Sequence, residues 1–438
     1  MIHTDRSTQT EVCATMKHVP RSVLAVFEAL QFQNRRTQAL CRLTEAEWNT
    51  ALAYCDRMQL TLALARDRGE FPPWIRKRID RNLADNARRF EQVKAAYFEI
   101  AGALERAGID FLVLKGFTQV PRFVPDAKPR VQYDIDLFCP QQSVYPARDE
   151  AVRLGYEPLP GHDQLPLDHL PTMIRKTGWK WRGDYFDPEM PLSLELHYRL
   201  WDPHTERLSP EGLDDFADRR EERELAGIHF TALHPVDAAG YAALHALRHL
   251  LRGDIRIGHI YELAWFLNGA QGDARFWANW REWHPPSLRT LETISFRLAA
   301  EWFGCGLNAA ISETSELLPQ GVKRWLARYA TAPLESAFRS NKHELWLHLS
   351  LLQQPRDRLA VARRKLLPLS LPGPVGDVHI PDAQITPRMR SRKRLRYARF
   401  VASRVLHHAR VLLPALWSGM RWWLGAGLKR SRTSTTSL

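Results

Sequence analysis

From Leu192 to Leu200 the side chains alternate without interruption: Leu192, Leu194, Leu196, Tyr198 and Leu200 against Ser193, Glu195, His197 and Arg199. Only an extended strand sorts such a pattern onto two faces. The chain therefore needs a sheet with one apolar side and one side bearing a carboxylate, an imidazole and a guanidinium. Two shorter strands precede it. Phe111 to Leu114 is a continuous apolar run that ends at Lys115-Gly116, and Tyr133 to Phe138 carries Asp134 and Asp136.

Around these strands the pattern is helical. Apolar residues recur at helical spacing between Val19 and Gly69, with Val23, Val26, Phe27 and Leu30 as examples, and a second helix runs from Asn82 to Arg106, ending near Gly108. A further helix is expected over Val144–Leu154, and others from Pro235 to Leu267, Ser287 to Phe303 and Lys342 to Leu352. Few strands among long helices imply an α+β body, a small mixed sheet with helical flanks. The expected divisions are a disordered segment 1–18, a helical region 19–94, a sheet-bearing core 95–230, a helical domain 231–367, a proline-rich linker 368–390 and a basic amphipathic tail 391–438.

Composition adds boundaries. At 438 residues with 45% hydrophobic side chains, there is material for two or three packed domains. The five cysteines are scattered and form no CxxC pair, which argues against a disulfide framework or a zinc ribbon. The first residues carry no apolar stretch of the kind that directs secretion, so a cytoplasmic location is expected. The net charge of +13 suggests a nucleic-acid partner until it is located: 13 Lys/Arg and no acidic residue lie from Arg388 onward, leaving 49 basic against 49 acidic residues in the rest. The basicity belongs to the tail, and nucleic acid is not expected on the body.

Asp134 and Asp136 stand two apart on one strand, so both carboxylates leave the same face. Side by side they repel, and a hard divalent cation, Mg²⁺ or Mn²⁺, removes that penalty while binding phosphate oxygens. Lys115 supplies a positive charge near them and Gly116 lets backbone come close to a phosphate; Arg122 and Arg130 lie between that turn and the aspartates as possible phosphate clamps. Glu195 is a third carboxylate, suited to completing a metal site or taking a proton from an acceptor. His197 shares its face, and His245 and His249 stand at i, i+4 on one helix face, a spacing that suits either zinc or packing.

Leu114-Lys-Gly116, Arg130, Asp134-Ile-Asp-Leu137 and Glu195-Leu-His197 together resemble the uncharacterised nucleotidyltransferase family of the polymerase β-like superfamily, over about residues 95 to 270. The resemblance implies a minimal nucleotidyltransferase core in which Asp134 and Asp136 are metal ligands, Glu195 is the third acidic residue and Lys115 with Gly116 forms the phosphate-side turn; beside it, Arg122 and Arg130 are expected to hold the nucleotide's phosphates and His197, His245 and His249 to be accessory. The implied reaction moves a nucleotidyl group from an NTP to a small molecule, peptide or protein. A phosphotransferase and a catalytically silent binding scaffold are the alternatives.

The tail mixes its basic residues with Leu406, Leu413, Trp417 and Trp422. Its longest charge-free run, Val411 to Met420, is too short to span a bilayer. It is expected to be a helix packed on the body, a surface-lying membrane contact or a binder of single-stranded nucleic acid.

Overall fold

A computed structural model describes residues 18–159, 168–367 and 378–433, with side chains described up to Trp422. Residues 1–17 of the expected disordered N-terminus and 368–377 of the expected linker lie outside the described residues. The first helical stretch is not one helix. It breaks into α1 (Arg21–Ala29), a short turn, α2 (Glu45–Met58) and a 3-10 segment. Left-handed residues at Asn34 and Gln59 make the breaks, and a Thr44–Glu47 capping box starts α2. Helix α3 (Pro73–Arg106) begins nine residues earlier than the sequence suggested, with proline at its first position.

Among the described residues there are seven strands: β1 (Leu112–Val113) and β2 (Asp134–Phe138), followed by helix α4 (Val144–Arg153), then β3 (Glu157–Pro158), β4 (Met173–Ile174), β5 (Ser193–His197), β6 (Arg220–Leu225) and β7 (Ile228–Leu233). They form one mixed sheet in the order β3-β4-β5-β2-β1-β7-β6. Strands β2 and β5 run parallel, with Asp134 opposite Ser193 and Asp136 opposite Glu195. The β6–β7 hairpin, which the sequence pattern did not reveal, turns through Ala226 and Gly227, both at positive φ as a two-residue primed turn requires.

Alternation decides which face is dry. Ile135, Leu137, Leu194 and Leu196 enter a core with Phe90, Val93, Tyr97, Ile100 and Leu104 of α3 and with Val144 and Ala147 of α4. The other face meets α5 (Pro235–Arg252), which is followed by α6 (Ile257–Ala270), α7 (Ala274–Trp283), α8 (Pro286–Phe303), α9 (Glu344–Leu351) and α10 (Pro387–Thr433). The helices before and after the sheet share one apolar core, where the Phe27 and Phe303 rings lie 5.6 Å apart and Phe32 N–H donates to Phe303 O at 2.8 Å. The fold is α+β, consistent with a nucleotidyltransferase-like core.

Candidate functional site

The polar face of β2 and β5 is positioned from two sides. Arg89 of α3, fully buried, donates to the carbonyls of Gln132 (2.7 Å) and Met190 (2.9 Å), and Asn86 donates to Arg130 O at 3.0 Å. These bonds tie the residues before both strands to one rigid helix. Gly116, at φ +71°, turns the chain just beyond β1, and the Gln132 amide fills the space a Cβ would need there. That amide also donates to Asp134 O at 2.7 Å, so the turn and the aspartate strand are locked together.

On this scaffold Lys115 Nζ reaches Asp136 Oδ1 at 2.9 Å. His197 Nε2 lies 3.2 Å from the same oxygen and 3.6 Å from Glu195 Oε2, while its Nδ1 is 3.4 Å from Asp168 Oδ2. Thr172 donates to Glu195 Oε1 at 3.1 Å. Asp168 is fully buried and takes a charged hydrogen bond from Arg248 of α5, whose other amino group meets His245 Nδ1 at 3.3 Å. Asp168, Tyr241 and Arg248 are site residues that the sequence reading missed. A signal existed: Tyr241, His245 and Arg248 stand at i, i+4 and i+7, part of a polar stripe on a largely apolar helix that also carries Asp237, His249 and Arg252.

Charge sets the protonation states. Burial and the neighbouring Asp136 push Asp134 up to about 7. Burial acts against the Lys115 ammonium, but Asp136, with Tyr241, Asp134 and Glu195, outweighs it and raises its pKa. Burial likewise opposes charge on His197, yet Tyr241 and the carboxylates of Asp136, Asp168 and Glu195 hold it well above the ordinary histidine range. Glu195 is kept well below the usual carboxylate value, against its burial, by His197, His169 and Lys115. For Asp168 it is Arg248 that overcomes burial.

A divalent cation fits this set. Carboxylate oxygens of Asp136 and Glu195 lie within 4.8 Å of each other and of a His197 ring nitrogen, and the protonated His197 orients them rather than ligating. Asp136 Oδ2 is buried with no hydrogen-bond partner, the kind of orphaned oxygen that a cation satisfies. Asp134 adjoins this trio, electrostatically coupled to Asp136, but does not belong to it.

The remaining expected residues divide. Arg130 is close enough to act on Asp134, but its guanidinium is paired with Glu262 of α6, Nε to Oε1 3.0 Å. Arg122 is not brought to the carboxylates: it is exposed, and the groups that feel its charge are Arg223 and His234. His245 and His249 are joined by His259 of α6, which the sequence reading did not single out, in a cluster whose nitrogens also lie within 4.8 Å. Burial and the charges of Lys115 and nearby arginines hold His245 and His259 well below the ordinary range, as neutral imidazoles.

The sequence model of a family described as "Uncharacterised nucleotidyltransferase" matches residues 44–304, more than half of the chain. The chain belongs to that family. This nucleotidyltransferase match extends beyond the sheet on both sides, into α2 and through α8, which are the helices sharing the second apolar core. No curated protein and no solved structure matches the chain significantly.

Proposed function

We propose that the chain is a metal-dependent nucleotidyltransferase that moves a nucleotidyl group from an NTP to an acceptor. The observation that carries this reading is the parallel register of β2 and β5, which sets Asp136 beside Glu195 with Lys115 at hydrogen-bond distance. The acceptor's nucleophilic atom bonds to the α-phosphorus, the bond to the bridging oxygen breaks, pyrophosphate leaves and the acceptor proton is released. Asp134, Asp136 and Glu195 would hold Mg²⁺ or Mn²⁺. When bound, the cation neutralises charge on the phosphates and orients them. Lys115 and Arg130 supply fixed positive charge on the phosphate side, and the neutral His245 and His259, with His249 beside them, offer hydrogen bonds to phosphate oxygens. His197, held between Asp136, Glu195 and Asp168, fixes where the carboxylates point.

A second reading draws on one observation: Lys115 and the charged His197 already neutralise Asp136 and Glu195, so the core folds without a metal and can serve as a silent binding module. Incubation of the protein with Mg²⁺, each NTP and cell extract, followed by mass spectrometry, separates these. A product gaining a nucleotide, with pyrophosphate released, is expected. Release of a nucleoside diphosphate means phosphoryl transfer. No nucleotide binding at millimolar concentration means a scaffold.

A further inference from the structure

Helix α10 has two faces with different partners. Val411, Ala415 and Trp422 are buried, the Trp346 ring of α9 fills the space beside Gly419, and Trp346 Nε1 donates to Ser418 at 3.1 Å. Trp422 also lies 6.0 Å from the Tyr329 ring and beneath the Arg324 guanidinium. One side of the helix is therefore fixed to the helical core.

The opposite side is uncovered. Leu395, Leu406, Leu413, Trp417 and Met420 are each more than half exposed. At 100° per residue they fall within one arc of roughly 60°, centred about half a turn from the buried side chains. Along the edge of that arc run Arg388, Arg399, Arg410 and Arg421, eleven residues apart and all exposed. Eleven residues make slightly more than three turns, so the row drifts by only about 20° per step and its guanidiniums run alongside the apolar ridge. No acidic residue follows Arg388 to compete for them.

We propose that this face of α10 docks on an anionic membrane surface, lying in the interface without crossing it. No helix among the described residues is long and apolar enough to span a bilayer. Aliphatic side chains flanked by a row of cations match a surface of lipid phosphates above hydrocarbon: the ridge enters the acyl boundary and the guanidiniums stay with the headgroups. Single-stranded RNA would engage the arginines and Trp417 but would leave Leu406, Leu413 and Met420 in water. A second copy would set one arginine row against another.

The full-length protein is sedimented with vesicles of phosphatidylcholine alone and of phosphatidylcholine with phosphatidylglycerol. Binding about tenfold stronger or more on the anionic vesicles, falling as salt rises, is expected. Leu406→Ser/Leu413→Ser/Trp417→Ser and Arg399→Gln/Arg410→Gln/Arg421→Gln should each lose it while keeping the parent's thermal midpoint, since none of these residues packs on the body. Equal binding to both vesicles, retention by either triple variant, or binding to single-stranded RNA or self-association in place of vesicle binding would overturn the proposal.

Discussion

Lys115 Nζ lies 2.9 Å from Asp136 Oδ1, an ion pair at the centre of the proposed metal site and almost wholly out of water. Removing one partner strands the other. Asp136→Asn is expected to lower Mg²⁺-dependent turnover by at least ~10²-fold and also to destabilise the fold, because the ammonium loses its nearest counter-charge. Adding Lys115→Met should then restore stability without activity. Denaturation midpoints of the single and double variants check this; equal midpoints would rule it out.

Arg248 connects Asp168 to His245 and so joins the sheet to α5. Arg248→Leu leaves the Asp168 carboxylate buried without its cation, and a loss of about 3–5 kcal/mol is expected. Asp168→Asn in the same chain should recover part of it. Arg248→Lys should rescue poorly, since one ammonium cannot reach both partners. Urea unfolding of the three variants is the measurement.

Gly116→Ala places a Cβ in a left-handed residue, against the Gln132 amide. A cost of roughly 2 kcal/mol or more is expected from strain and displacement together. Gln132→Ala should relieve the displacement but not the strain. A thermal midpoint for Gly116→Ala matching that of the parent chain would refute this account of the turn.

A second buried network gives a pH dependence. His284 Nε2 bonds Asp237 at 3.0 Å and its Nδ1 lies 2.8 Å from Glu292 in an ion pair, under the Phe216 ring, and Asp237 also pairs with Arg219 at 2.9 Å. Burial opposes the charge, but Glu292 and Asp237 raise His284 to about 9. Its folded value is thus above the unfolded value of about 6.5. The stabilisation is fully present below pH ~6.5 and disappears as pH rises through ~9, amounting to roughly 3 kcal/mol at most. Stability measured from pH 6 to 10 should decline over that window, and His284→Gln should flatten the decline.

How much of this was legible depends on locality. The strand at Ser193–His197 and the Asp134–Asp136 pair could be read directly, because period-two alternation is written within a few residues. Strand β6 could not. Arg-Glu-Glu-Arg-Glu-Leu forms the charged edge of the sheet, buries little and shows no apolar period. The early start of α3 was hidden in the same way by its Arg/Lys-rich first turns. Asp168 and His259 were invisible for another reason: each takes its role from partners brought in from other parts of the fold. Arg122 illustrates the converse, since closeness in sequence to the aspartates placed it near other charges instead.

The pairing of Asp136 with Glu195 also bears on the order of folding. Lys115 and Asp136 come from neighbouring antiparallel strands joined by a modest loop, whereas Glu195 and the α5 residues that complete the site return only after much longer excursions of the chain. Closing those loops costs more entropy and takes more time. A nascent chain therefore closes its lysine–aspartate contact before the third carboxylate arrives, and the α5 side chains complete the site last.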